Sequence, residues 1–143
     1  MPKSFDFSIQ SLQQLAQTDV ARALAEDVGA GDLTAALVDA SRPARARILA
    51  REDAVICGRP WVEAAVLACD PAAQLTWHVE EGERCAADQV VLHIDGKAQA
   101  LLTAERTALN FLQLLSAVAT KTAVFVAAVK GTRAAIVDTR KTI

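Results

Sequence analysis

Apolar residues recur at helical spacing close to the amino terminus: Ile9, Leu12, Leu15, Ala16, Val20, Ala23 and Leu24 share one face over residues 9–25. The pattern predicts an amphipathic helix, with Asp19 as the point at which it would break and Gly29 and Gly31 as its end. Residues 46–58, ARILAREDAVICG, carry β-branched side chains and predict a strand pair or one long bent strand that stops at Gly58-Arg59-Pro60. Pro60 has no N–H to lose in a first helical turn, so WVEAAVLAC reads as the next helix. In QLTWHVEEGERC, Leu75, Trp77 and Val79 alternate onto one face of a short strand before a turn at Glu81-Gly82. QVVLHIDGKAQALL then sets Asp95-Gly96 between two apolar runs, the pattern of a two-residue hairpin.

A long helix is predicted over residues 104–129, with Thr103 as its N-cap. Through ALNFLQLLSAVAT it is apolar on nearly every side, so a second domain or a second subunit must cover it. The apolar residues 134–137 predict a last strand without a sequence-local partner, as the opening strand of a parallel α/β array would be. The order is α+β: a helix, antiparallel strands with one inserted helix, a long helix, and one final strand. Neither a repeat nor a Pro/Ser-rich linker interrupts it.

Composition narrows the function classes. With 143 residues, 52% hydrophobic and 22% charged, the chain can bury one ordinary core and is too apolar for disorder. A net charge of -2 gives a general nucleic-acid surface no support and points to a small molecule or another protein as partner. Cys57, Cys69 and Cys85 lack CxxC spacing, and neither His78 nor His93 stands at a metal-ligand interval from them, so no metal site is expected. The amino terminus lacks a secretory h-region, and residues 118–129, interrupted by Lys121, are expected to be too short to span a bilayer. A reducing cytoplasm with three free thiols is the expected setting.

Several residues could carry chemistry. Thr139, Arg140 and Lys141 follow the predicted last strand, where an α/β barrel would present them to a ligand; a solvated chain end is the equal alternative. Arg140 offers a planar fork and Lys141 a compact charge, a pair suited to a polyanion. Arg106, placed by this reading in the first turn of the long helix, suits an anion bound at the helix start, with Glu105 holding it; a surface ion pair is the simpler account. Glu26, Asp27 and Asp32 in EDVGAGDLT form an acidic group, but Asp32 reads first as a turn cap. Lys97 reads as an exposed lysine beside the hairpin, and the small residues of SAVATKT let the helix approach another backbone closely.

Taken in order, LAEDVGAGDLTAALV, AREDAVICG, DGKAQALLTAERTALNFLQLLSAVAT and VDTRKT resemble the quinolinate phosphoribosyltransferases, with AERTALN, SAVAT and DTRKT the most specific segments. The resemblance implies a hammerhead-type amino-terminal α/β domain, residues 1–115, and the start of an open α/β barrel, residues 116–143, with residues 134–139 as its first strand. It implies phosphoribosyl transfer from phosphoribosyl pyrophosphate to quinolinate with Mg²⁺, giving nicotinate mononucleotide, CO₂ and pyrophosphate, in at least a homodimer. On the matching positions, Arg106 would reach a quinolinate carboxylate in the neighbouring subunit's site. Arg140 would hold a carboxylate within its own subunit, Lys141 would act beside substrate or phosphate, and Thr139 would line the pocket. Ala117 stands where the family usually has Gly, and the family's remaining ligands lie in a barrel that these 143 residues do not contain, so the chain alone is expected to be inactive. A non-catalytic dimerisation domain and the related molybdenum-transport-associated proteins are the alternatives.

Overall fold

The structure, a computed structural model, describes residues 6–137. Helix α1 (Ile9–Val28) is followed by a single 3₁₀ turn (Ala35–Leu37), strands β1 (Pro43–Leu49) and β2 (Ala54–Val55), and helix α2 (Arg59–Cys69). Strands β3 (Gln74–Trp77), β4 (Arg84–Cys85) and β5 (Val90–Lys97) lead into helix α3 (Ala98–Val129). The main sheet is antiparallel in the order β1-β5-β3, and β2 and β4 form a separate two-stranded ladder.

Register sorts the side chains of the main sheet into two faces. Ile48, Leu92 and Trp77 stand in one cross-strand row and Ala46, Ile94 and Leu75 in the next, all on the side that packs into the core. Arg47, His93 and Thr76, then Arg45, Asp95 and Gln74, form the rows of the opposite face. Helix α2 lays Val62, Ala65 and Val66 against the inner face, while α1 adds Ala16 and Val20, and α3 adds Ala104, Ala108 and Leu112. Full burial of one Leu or Val side chain contributes about 1.5–3 kcal/mol, so this cluster is the main source of stability.

Asp19 does not break α1. Its Oδ2 accepts a hydrogen bond from Trp61 Nε1 at 3.0 Å, tying α1 to α2 while the backbone stays helical. Gly29, with φ of +52°, ends the helix as anticipated. Pro60 occupies the first turn of α2, and the Glu81 carboxylate accepts from the N–H groups of Gly58 and Arg59 at its start.

The expected Asp95-Gly96 hairpin is absent. Both residues lie inside β5, which runs directly into α3, and Gly96 does not take the positive φ that such a turn needs. The glycine is required for space: a Cβ there would come within 3.1 Å of Asp70 Oδ2 and 3.3 Å of both Ala73 and Leu101. Asp70, at the end of α2 and 3% exposed, accepts from Lys97 N at 2.8 Å and Ala72 N at 3.1 Å, and so fixes where α3 begins. Helix α3 therefore starts at Ala98 rather than near residue 104, and Thr103 is an interior residue whose hydroxyl bonds back to Gln99 O, not an N-cap.

Small residues bring α3 close to the β2 segment, as SAVATKT suggested. Ser116 Oγ accepts from Cys57 N at 3.0 Å and donates to Cys57 O at 3.1 Å, and Thr120 Oγ1 accepts from Val55 N at 2.8 Å. Two side chains thus satisfy backbone groups that no strand pairs. Gly58, at φ +113°, completes the approach: a Cβ on it would meet Leu115 Cδ1 at 3.1 Å.

Beyond Ser116 no described residue of α3 is buried, and Val118, Val124, Phe125 and Val126 are each at least half exposed, so the helix lacks the cover that its sequence demanded. The helix has 32 residues and is, by length and composition, long and apolar enough to cross a membrane, which removes the argument that the stretch is too short. Its first half is instead one wall of the protein core. Residues 134–137 are not in a strand and Val137 is exposed; the anticipated continuation of that strand to 139 lies outside the described residues.

Candidate functional site

Three segments converge beside the first half of α3: the end of α1, the loop that follows it, and α3 itself. The loop is held by Asp32, whose Oδ1 accepts from Ala35 N at 2.9 Å and caps the 3₁₀ turn. Its other oxygen, Oδ2, accepts from Thr103 Oγ1 at 3.2 Å. The Ala35 N–H is the main reason that the Asp32 carboxyl stays below its ordinary range, with Thr103, Thr34 and the Arg106 charge adding to it against the cost of burial. Thr103, proposed as a cap, instead braces this loop against α3.

Arg106 lies one helical turn beyond Thr103 on the same face. It is about two turns from the start of α3 and therefore away from the free N–H groups of the helix end, so the anticipated anion site at the helix terminus does not form. Its Nη1 donates to Asp27 Oδ1 at 2.8 Å. The partner is thus Asp27, 79 positions away, and not the adjacent Glu105. The Asp27 side chain is 19% exposed and that of Arg106 is 75% exposed, so most of the guanidinium faces solvent. Asp27, Asp32, Thr103, Glu105, Arg106 and Asn110 line a polar hollow of about 410 Å³.

The hollow has one cation among three carboxylates. An anionic ligand could use the open side of the Arg106 fork, as planar carboxylates do, while Asp27 holds the other side in place. Among the described residues no group of three or more His, Cys, Asp or Glu could hold a metal ion, and within the hollow Asp32 Oδ1 is taken by Ala35 N and Asp27 Oδ1 by Arg106. The three cysteines are unpaired. Burial first, and then the neighbouring Glu81 charge, push the Cys57 thiol up to about 11, which keeps it protonated at neutral pH. Thr139, Arg140 and Lys141 lie outside the described residues.

Fold and site together define an α+β domain that carries an anchored, outward-facing arginine and a long helix half of which is left uncovered by the described residues. The chain belongs to the quinolinate phosphoribosyltransferase family, whose N-terminal-domain model matches residues 32–116. It is 39% identical over 135 residues to the carboxylating nicotinate-nucleotide pyrophosphorylase of Mycobacterium leprae, covering 90% of this chain and 46% of that protein. It is 32% identical over 117 residues to a probable enzyme of the same name from Bacillus subtilis, covering 82% of this chain and 40% of that one. Among solved structures, the nicotinate-nucleotide pyrophosphorylase from Francisella tularensis superposes with a TM-score of 0.87 at 33% identity, covering 92% of this chain and 46% of that one. NadC from Streptococcus pyogenes gives 0.87 at 32% identity, covering 98% and 49%. The chain thus spans about half the length, or less, of the relatives it matches.

Proposed function

We propose that this chain forms the amino-terminal part of an enzyme that transfers the phosphoribosyl group of phosphoribosyl pyrophosphate to quinolinate, releasing pyrophosphate and CO₂ to leave nicotinate mononucleotide. Family membership supports the reaction class, and the observation that carries the role of this half is the Arg106 guanidinium, braced by Asp27 and open to solvent on its other side. In this reading residues 1–115 are the hammerhead-type domain, and the bare half of α3 leads into an open α/β barrel. The working unit is at least a homodimer in the cytoplasm.

Quinolinate has two adjacent carboxylates on a pyridine ring, and bringing it against a second polyanion requires several cations. Arg106 would bind one carboxylate in the neighbouring subunit's site, and Arg140 the other from within its own subunit. Lys141 would stand beside substrate or phosphate, and Thr139 would line the pocket. With the ring held, its nitrogen attacks ribose C1 as pyrophosphate leaves, and cations stabilise the departing charge. The quaternised nitrogen then accepts the electron pair left at the adjacent carbon when CO₂ departs. Mg²⁺ bound with phosphoribosyl pyrophosphate would help neutralise the leaving group, and the described residues do not supply its site.

Nicotinate mononucleotide formation tests the proposal. The 143-residue chain alone is expected to be inactive, and fusion to the carboxyl-terminal half of a relative is expected to restore turnover. In that fusion Arg106→Ala should raise KM for quinolinate by about 10–100-fold, the loss of one charged hydrogen-bonding contact. Turnover by the chain alone, or an unchanged KM, would contradict the assignment.

A further inference from the structure

The outer face of the main sheet carries a pair of imidazoles that the proposed reaction does not use. His78 directly follows β3, and its N–H donates to Val91 O at 2.9 Å, extending the β3–β5 ladder by one residue. That register makes His78 the diagonal cross-strand neighbour of His93, which stands opposite Thr76. His78 Nε2 and His93 Nδ1 approach to 2.8 Å, with the rings nearly perpendicular at 88° and their centroids 4.9 Å apart. Here one ring supplies the proton and the other the lone pair. His78 is exposed and His93 half-buried, so water reaches the pair.

We propose that His78 and His93 form a two-imidazole chelate for a divalent ion of the zinc class, with water completing the coordination. Two nitrogens bound at about 2.05 Å to one tetrahedral ion lie about 3.3 Å apart, so the pair needs to open by roughly 0.5 Å and turn both lone pairs toward the ion, while the proton between the rings moves to the other nitrogen of the ring that carries it. Small side-chain rotations provide that without disturbing the ladder. An all-nitrogen donor pair favours Zn²⁺, Ni²⁺ or Cu²⁺ over Mg²⁺, which prefers oxygen ligands. The charges that β1 and β5 place on this face are those of Arg45, Arg47, Asp95 and Lys97. Arg45 and Asp95 neutralise each other through an ion pair at 2.6 Å. Arg47, the cross-strand partner of His93, is the cation that opposes an incoming metal.

The chain contains two histidines, so their imidazole proton resonances report this site without interference. On titration of the 143-residue chain with Zn²⁺ at neutral pH, both sets are expected to shift together and saturate at one equivalent. Loss of an outer hydrogen-bonding partner alone typically weakens a metal about 10–100-fold, so His78→Gln and His93→Gln, which each remove one of two protein ligands, should each cost at least about 100-fold. Arg47→Gln should tighten binding. Circular dichroism checks that each variant folds, and alkylation of the cysteines should leave the affinity unchanged. Resonances that stay still to millimolar Zn²⁺, a shift of one histidine only, or binding abolished by alkylation would overturn the proposal.

Discussion

The two halves of α3 have opposite fates, and the half left bare is the more apolar one. The first half buries Ala104, Ala108 and Leu112 in the core and ends with Ser116 bonded to both backbone groups of Cys57. The second half places Val118, Val124, Phe125 and Val126 in water although the helix continues without a break. Apolar composition identifies a surface that needs cover; the anchoring polar contacts decide where the cover comes from. Ser116 and Thr120 can satisfy groups of the β2 segment because the chain returns there, whereas none of residues 121–129 is buried.

Removing a side chain from each half measures that difference. Leu112→Ala deletes a large side chain that is 5% exposed and should destabilise the fold by about 2–5 kcal/mol in chemical denaturation. Val124→Ser, in the bare half, should change stability by no more than about 0.5 kcal/mol while reducing self-association in sedimentation, because the patch it interrupts is accessible. Equal losses at the two positions would mean that the second half is covered in solution.

The buried half also depends on its starting point, and pH can test that. N–H donation from Lys97, then from Ala72, holds the Asp70 carboxyl below its ordinary range against the opposing effect of burial. A group whose folded pKa is depressed contributes stability above its unfolded value, about 3.9, and loses it as pH falls through the folded one. Thermal unfolding followed downward from about pH 6 should therefore show a falling Tm below about pH 4. Asp70→Asn should start from a lower Tm and show a shallower acid slope. Parallel profiles would place the acid sensitivity in the other depressed carboxylates, Asp32 and Asp95 among them.

Features governed by near neighbours were legible in the sequence: the α1 end at Gly29, the Asp32 cap and Pro60 in the first turn of α2 all follow from residues within a few positions. The misreadings share a cause. Asp95-Gly96 has the local chemistry of a turn, but the glycine answers to Asp70, Ala73 and Leu101, which only the folded chain brings near. Thr103 looked like a cap because the true anchor of the helix, Asp70, lies 27 residues before Lys97. Within the site, sequence singled out Arg106 as a charge awaiting a partner, and Asp27 was noted only for its acidic company. Nothing local could join the two across 79 positions, whereas the adjacent Glu105 offered a misleading answer.

The smallest expected effect concerns that pair. An exposed ion pair contributes about 0–1 kcal/mol, because solvent screens it and two long side chains must be ordered to form it. Arg106→Ala in the 143-residue chain should therefore leave the denaturation midpoint nearly unchanged, as should added salt, even though the same substitution is expected to raise KM for quinolinate in a barrel-bearing fusion. The combination separates two accounts of one residue. If Arg106 mainly holds the end of α1 to α3, its loss must lower stability and any loss of activity would follow from that. If its open side awaits a carboxylate, the domain should remain as stable without it, and the effect should appear only when substrate binds.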